Sequence, residues 1–503
     1  MAGTGGSSAG RSGGSGGVST TGGAPEPGGA AGEAASSAGG AGGDAAGEGG
    51  TGARDGGAAG EVDAAGGTSG TGDSSTAGEA GTPSIEGGAA GEGAGTSPDG
   101  ALFHVTVARA SDIDPVAPGT VGIVTFAVDV PGLSRARVEF GPTRGYGMTA
   151  PVDLGEPELR TLLLGMKPSR TYHFRIVVED ATRAYTSNDY TLFTGPPTTA
   201  VPVPGFRVID PAARQPGFLI ASYWIGAGSG VPFILDRDGE IVWWYTGLSG
   251  GIGRARISED GKNLWLAFAS NSGAPLRRIR MDALESESYP QAVASHDITP
   301  VRGSTMAYIE YGEPDCDSIF EIDPTGTQHE VFESEGVVQS NAPPLRCHGN
   351  ALRYSASADL YTFSEWHQDV FALTRAGEIV WRLSELVSGG NMAWGGAQHG
   401  HHLLSDSLLV FANLAEPSRS QAIEYLLDGS EKRRFTSGGY SANFGDVQRL
   451  PGGNTLVTYS NAGQIEEIDD SDQVVLEIDT GDSRLGYVSW RETLYGEVPD
   501  STD

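Results

Sequence analysis

From about residue 200 onward, short apolar runs alternate with turns rich in Gly and Asp. One recurring unit reads strand, acidic turn, strand, as in "VPFILDRDGEIVWWY" (231–245) and "QDVFALTRAGEIVWRL" (368–383). A second unit lies between copies of the first and begins at positions 254, 296, 348, 399 and 445. A repeat of roughly 40–50 residues with four strands is typical of a β-propeller. The pattern predicts a propeller over 198–503 with six blades, seven being the alternative count.

The ends of this region predict how the ring closes. The segment "PGFLIASYW" (216–224) is a sixth candidate for an inner strand. We expect the last strand of the chain to pair with the first blade and so close the ring.

Residues 101–197 have a different pattern, with short strands such as "GIVTFAVDV" and "TYHFRIVVED" separated by Gly, Pro and Asp. Strands at this spacing predict a small β-sandwich. Their order resembles a fibronectin type III-like module, in which a tyrosine shortly after a proline packs at a corner, and Tyr172 matches that position. The resemblance implies a spacer or, alternatively, a ligand-presenting domain.

Residues 1–100 consist mainly of Gly, Ala, Ser, Thr and acidic residues, and the first aromatic residue is Phe103. This low-complexity composition predicts a disordered acidic linker. It resembles the spacers of bacterial surface lipoproteins, which implies export and tethering to the cell envelope, periplasm or surface. The start, "MAGTGGSSAG", nevertheless lacks the basic and apolar parts of a secretory signal.

Charge and hydropathy limit the partners. The formal net charge is −32, which argues against binding to a phosphate backbone. No apolar run approaches the ~20 residues of a transmembrane helix. Cys316 and Cys347 are too few for a four-cysteine zinc site. They can either form one disulfide or remain two separate thiols.

Three histidines occupy one position of the repeat, because the second unit opens with His296, His348 and His399. Equivalent positions of a propeller lie around one central channel, so these side chains are expected to converge. Three readings remain open from the residues alone: a metal site, a nucleophile with helpers, and a polar lining without function. Strand alternation places Asn350 on the face of His348.

The elements "CHGNALRYSASADLYTFSE", "GEIVWRL" and "AQHGHHLLSDSLLVFAN" resemble the bacterial arylsulfate sulfotransferase family over most of 205–495. That family is a six-bladed propeller of the periplasm or envelope. Its members transfer a sulfuryl group between phenols through a sulfohistidine, without a nucleotide donor. The resemblance implies a phenolic sulfate donor, a phenolic acceptor, no cofactor and no metal.

Carried onto this chain, the resemblance makes His399 the nucleophile. His348 and Asn350 would hold the sulfuryl oxygens, and His296 would bind the sulfate or relay a proton to the leaving phenol. The chain departs from the family at two places. Glu365, Trp366 and His367 stand where the family has an arginine, and Gly400 stands where it tends to have an acid.

His367 could replace the arginine if protonated, and two tryptophans, Trp366 and Trp394, are candidates for the wall that binds the aromatic acceptor. The leading interpretation is therefore an arylsulfotransferase-like enzyme. The alternatives are a non-catalytic surface propeller that binds a glycan or protein, and a metal-dependent hydrolase using the three histidines.

Overall fold

The computed structural model describes residues 91–225, 229–269, 273–301, 305–312, 316–334, 348–366, 369–387, 397–416, 419–435, 439–481 and 483–496. Within these ranges α-helix is confined to two short segments, α1 (Ala110–Ile113) and α2 (Leu383–Leu386). Two turns of 3₁₀ helix lie at Pro157–Leu159 and Ser460–Ala462. The predicted all-β class is confirmed.

The N-terminal strands form two antiparallel sheets. One has the order β1-β2-β3-β6, and the other has the order β5-β4-β7-β8 with β9 against β7. The strands are β1 (Gly91–Thr96), β2 (Leu102–Arg109), β3 (Gly122–Val128), β4 (Arg135–Gly141), β5 (Met148–Pro151), β6 (Thr161–Leu163), β7 (Thr171–Glu179), β8 (Ala184–Thr186) and β9 (Tyr190–Phe193).

Alternating apolar residues place one core between these two sheets. Phe103 and Val105 of β2 and Phe174 and Ile176 of β7 are fully or almost fully buried in it. The hydroxyl of Tyr172 accepts a hydrogen bond from the backbone N–H of Lys167, at 2.8 Å. Tyr172 thus holds the turn that precedes its own strand, β7, through this hydrogen bond.

The predicted linker extends too far, because its last residues include a strand. β1 pairs along its whole length with β2, from Gly91 opposite Val107 to Thr96 opposite Leu102. An edge strand is held by backbone hydrogen bonds, so a segment without large apolar side chains can still join a sheet. The rest of the predicted linker, 1–90, lies outside the described residues.

The remaining strands form six four-stranded blades among the described residues, and in blades 2 to 6 the four main strands follow one another in the sequence. Blade 1 contains β11 (Phe218–Ile225), β12 (Ser229–Leu235) and β13 (Ile241–Trp244), with β14 (Leu248–Ser249) beside β12. Blade 2 contains β15 (Ile252–Ile257), β16 (Asn263–Phe268), β17 (Ala274–Arg280) and the first part of β18 (Ser286–Val301). Blade 3 contains the second part of β18, β19 (Thr305–Glu310), β20 (Ser318–Ile322) and β21 (Gln328–Glu333).

Blade 4 contains β22 (Gly349–Ser355), β23 (Leu360–Glu365), β24 (Asp369–Thr374) and β25 (Ile379–Arg382). Blade 5 contains β26 (Gln398–Leu403), β27 (Ser407–Glu416), β28 (Arg419–Leu426) and β29 (Glu431–Phe435). Blade 6 contains β30 (Asp446–Arg449), β31 (Thr455–Tyr459), β32 (Gln464–Ile468) and β33 (Val474–Asp479), with β10 (Gly205–Val208) along its outer edge.

The C-terminal strands close the ring, as predicted. β34 (Arg484–Leu485) and β35 (Ser489–Arg491) both pair with β11 and form the innermost layer of blade 1. The segment 216–224 is therefore not an inner strand, because β11 is the second strand of its blade. A backbone bridge from Tyr487 to Arg254 and a hydrogen bond from Trp490 N to Gln448 Oε1 connect this layer to its two neighbours.

One turn type recurs between the third and fourth strands of every blade. Its last residue has a positive φ and donates its N–H to the carbonyl three residues earlier, an arrangement that suits glycine. These residues are Gly239, Ala283, Gly326, Gly377, Gly429 and Asp472. The recurring acidic and Gly-containing turns of the sequence are therefore the outer hairpins of the blades.

The β-sandwich packs directly on the propeller. Leu164 and Ile123 share a buried cluster with Val242 and Trp243 of blade 1. The Thr120 hydroxyl donates to Val242 O at 2.7 Å, and Leu164 N donates to the Tyr495 hydroxyl at 2.7 Å.

Cys316 is disulfide-bonded. The only other cysteine of the chain, Cys347, lies outside the described residues.

Candidate functional site

Four of the six inner strands carry an irregularity where they enter the channel. The pairing register shifts at 252/254 in β15, 294/298 in β18, 349/351 in β22 and 398/401 in β26. Such bulges re-aim a side chain relative to the strand. His296 lies inside one of them, with φ of 59°. Simple alternation therefore does not set the direction of the histidine side chains.

The structure brings the three repeat-equivalent histidines together. The rings of His296 and His348 meet edge to face with centroids 4.6 Å apart. Phe444, from the entrance of blade 6, stacks on His296 at 5.2 Å and on His399 at 5.7 Å. Trp366 lies 5.8 Å from His348 and 6.0 Å from His399. We call this region the histidine end of the channel.

Asn413, in the second half of β27, fixes the orientation of His399. Its amide nitrogen donates to Ser441 O at 2.8 Å and to Phe444 O at 2.6 Å, so its oxygen is the atom that faces the imidazole. That oxygen lies 2.7 Å from His399 Nδ1. Because an amide oxygen only accepts, Nδ1 carries the hydrogen and Nε2 carries the lone pair of the neutral ring.

His296 is held in its neutral form. It is only 4% exposed, and its Nδ1 is hydrogen-bonded to the Ser295 hydroxyl. Burial, together with the neighbouring His348 and His399, holds the pKa of His296 well below its ordinary value. The neutral form of His296 is thus favoured at neutral pH.

Two buried carboxyl groups hold the backbone at His348. Glu365 accepts a hydrogen bond from His348 N, and Asp317 accepts one from Gly349 N at 2.9 Å. Burial, reinforced by Asp317, raises the pKa of Glu365 well above its ordinary value. The neutral form is thus favoured, which reduces the negative charge at the position where the resembled family has an arginine.

Asn350 connects blade 4 to blade 5 and to the C-terminal segment that closes blade 1. Its side-chain amide nitrogen donates to Gln398 O at 2.7 Å, and its backbone carbonyl accepts from the Tyr487 hydroxyl at 2.6 Å. Asn350 is fully buried. These bonds give it a part in positioning β22 against β26, immediately beside His348 and His399.

Beneath the histidine end lies a buried ionic layer. Arg254 bonds to Asp297 at 2.7 Å and to Asp446 at 2.5 Å, and Arg353 bonds to the other oxygen of Asp446 at 2.7 Å. Burial opposes the charge on Arg254, but the two aspartates outweigh it and raise its pKa. Burial, followed by Arg353, lowers the pKa of His401 to about 4.

This layer explains Gly400. A Cβ at Gly400 would lie 2.0 Å from Oδ1 and 2.6 Å from Cα of Asp446. Gly400 N also donates to Gly445 O at 2.9 Å. A side chain at this position has no room, and the orienting contact to His399 comes from Asn413 instead.

Sequence reasoning missed Asn413 and Phe444. Asn413 belongs to the second strand of blade 5, so the repeat of inner strands did not include it. Phe444 directly precedes Gly445 at the start of the blade 6 unit, where its position before the repeat start was the available signal. Two other predicted binding residues, His367 and Trp394, lie outside the described residues.

In the part of the chain that the structure describes, no group of three or more His, Cys, Asp or Glu side chains is arranged to hold a metal ion. No helix in the described ranges is long and apolar enough to cross a membrane.

No protein-family model matches the chain, and no curated protein matches it. Solved structures with some similarity include a Bacteroides caccae protein of unknown function (15% identity, TM-score 0.38, 54% of this chain and 98% of that chain). Virginiamycin B lyase from Staphylococcus aureus gives 13% identity and a TM-score of 0.36 over 56% of this chain and 99% of its own. The WD40 propeller domain of Doa1 gives 9% identity and a TM-score of 0.35 over 58% of this chain and 99% of its own. The propeller fold is shown by the strand pairing described above.

Proposed function

We propose that this protein transfers a sulfuryl group from a phenolic sulfate ester to a phenolic acceptor through a sulfohistidine at His399. The observation that carries the proposal is the contact between His399 Nδ1 and Asn413 Oδ1, at 2.7 Å. It selects the neutral tautomer whose Nε2 is nucleophilic, as covalent catalysis by histidine requires.

The first step balances without a cofactor. The Nε2 lone pair attacks sulfur, the N–S bond forms, and the bond between sulfur and the phenolic oxygen breaks. The donor's phenolate leaves with the electron pair and takes up a proton. In the second step the acceptor phenol loses a proton and its oxygen attacks the same sulfur, which returns the neutral imidazole.

Asparagine at position 413 suits this cycle. In the intermediate, His399 carries the sulfuryl group on Nε2 and keeps its hydrogen on Nδ1. An amide oxygen is too weak a base to remove that hydrogen, so the ring stays an imidazolium and remains a good leaving group. A carboxylate at the same place would favour loss of the proton and slow the second transfer.

The surroundings of His399 fit a sulfate ester. His348 and the neutral His296 can offer N–H groups to the sulfuryl oxygens, where negative charge develops. The aromatic rings of Phe444 and Trp366 lie 5.7 and 6.0 Å from that of His399 and are candidates to contact the phenolic ring. The raised pKa of Glu365 reduces the negative charge near the site.

The test is incubation of the full chain with 4-nitrophenyl sulfate, with and without a phenol. We expect nitrophenol release that accelerates with the phenol, and donor alone should leave one SO₃ group on the peptide containing His399. His399→Ala should abolish both signals. The matched control is His329→Ala, since His329 is exposed on β21. Absence of release, or full activity in His399→Ala, contradicts the proposal.

The aromatic walls also favour a second candidate, a non-catalytic surface propeller that binds a glycan. Sugar rings stack on tryptophan and phenylalanine, and the rings of Trp366 and Phe444 lie 6.0 and 5.7 Å from that of His399. A glycan array separates the two ideas. Specific glycan binding that is lost in Trp366→Ala, without any nitrophenol release, favours this candidate.

We further propose that the protein is exported and that 101–197 is a fibronectin type III-like spacer in front of the propeller. The disulfide at Cys316 supports export, because disulfides persist in oxidising compartments. The contact between Tyr172 and Lys167 supports the spacer assignment. Cell fractionation with thiol labelling tests the location: a cytosolic pool with reduced Cys316 contradicts it.

A further inference from the structure

The other end of the channel contains a second polar cluster. It lies three to five residues further along the inner strands than the histidines, which is roughly 10–17 Å at about 3.3 Å per residue. A cavity there is lined by Arg256 of blade 2, Thr299 of blade 3, Arg353 of blade 4, His402 of blade 5 and Gln448 of blade 6. We call this region the arginine end.

The charges around this cavity do not balance. Arg254, Arg256 and Arg353 face only two carboxylates, Asp297 and Asp446, among the described residues. Arginine stays protonated in proteins, so the cluster carries one uncompensated positive charge. A buried charge of this kind is unfavourable unless it is paired.

The uncompensated charge lies on Arg256. This residue is 7% exposed, and its Nε has no hydrogen-bond partner. Arg254 and Arg353 make the ion pairs with Asp297 and Asp446, and the Nε of Arg353 is likewise unpartnered. Burial, and then the nearby Arg254 and Arg353, lower the pKa of Arg256. The guanidinium is thus in an environment that lacks an anion.

The neutral side chains of the cavity are also set as donors. The Thr299 hydroxyl oxygen accepts from Tyr354 N at 3.2 Å, and Gln448 Oε1 accepts from Trp490 N at 3.0 Å. Their acceptor atoms therefore face backbone N–H groups, and the Gln448 NH₂ group is a donor by elimination. Donors from several blades around one cavity are the chemistry of an anion site.

The volume limits the size of the anion. The cavity measures about 20 Å³, close to the space of one water-sized sphere. We propose that the arginine end binds a single monoanion of chloride size, held by Arg256, Arg353 and Gln448. One such anion neutralises the cluster. The site is separate from the histidine end, so it does not depend on sulfuryl transfer.

Crystals of the full chain grown with bromide test the site directly. We expect one anomalous difference peak within hydrogen-bond distance of the Arg256 guanidinium. Water at that position without an anomalous signal overturns the proposal. Because this measurement uses the unaltered protein, it does not depend on whether a variant folds.

Thermal unfolding supplies the second test, with chloride replacing gluconate at constant ionic strength. Binding to the folded state should raise Tm by roughly 2–4 °C or more as chloride increases. Arg256→Gln should remove the halide response. Arg237→Gln removes the same charge from an exposed turn and should keep it. An equal response in Arg256→Gln, or a response to sulfate and phosphate but not to halides, contradicts the proposal.

Discussion

Asp446 is the side chain on which the buried ionic layer depends most. Its two oxygens bond to Arg254 at 2.5 Å and to Arg353 at 2.7 Å, and it is 1% exposed. Asp446→Asn keeps the shape but removes the charge, which leaves three arginines facing Asp297 alone. Loss of one partner from a buried ionic pair destabilises by about 3–5 kcal/mol. Against a total stability of about 5–15 kcal/mol, the variant should fold but unfold readily.

Urea unfolding measures this loss, and the corresponding decrease in Tm is roughly 6–20 °C. The control is Asp406→Asn, because Asp406 is exposed and lies 3.6 Å from Lys432. Such a surface pair contributes about 0–1 kcal/mol. The double variant Asp446→Asn with Arg256→Gln restores the original net charge and should recover part of the stability. A loss below about 1 kcal/mol in Asp446→Asn, or no recovery in the double variant, refutes the charge reasoning.

Three further predictions concern the same channel. Asn413→Ala leaves the buried His399 N–H without this acceptor, which costs about 1–3 kcal/mol. The rate of nitrophenol release should therefore fall roughly 10- to 100-fold. Circular dichroism should show that the fold is unchanged. Gly400→Ala places a Cβ 2.0 Å from Asp446, and urea unfolding should report a loss of about 1–3 kcal/mol. Burial raises the pKa of Asp317 to about 6, above its value in the unfolded chain. The stability from its neutral form is therefore present below about pH 4 and lost as the pH rises through about 6. In Asp317→Asn, the free energy of unfolding measured with urea should therefore depend less on pH across that range. The dependence that remains comes from the titration of Glu365.

The repeat in the sequence was sufficient to predict the blades and the shared position of the histidines. Both follow from a period that apolar residues enforce, since each blade buries its faces against its neighbours. The convergence of His296, His348 and His399 is a consequence of that symmetry.

The details of the site could not be read in the same way. The bulges in β15, β18, β22 and β26 insert a residue into the backbone without changing the apolar pattern. Asn413 is oriented by hydrogen bonds to the backbone carbonyls of Ser441 and Phe444, in the segment before blade 6. No periodic pattern in the sequence indicates these contacts. The protonation state of Glu365 depends on its burial, which raises its pKa and which the residue type alone does not show.

Phe218, near the beginning of the propeller, pairs with Arg491, near its end. The innermost strand of the first blade is thus synthesised after the strands of blades 2 to 6. Blades 2 to 6 can assemble as their strands emerge, but the channel stays open on one side until that strand arrives. The histidine and arginine ends of the channel would therefore both be completed by the same late event.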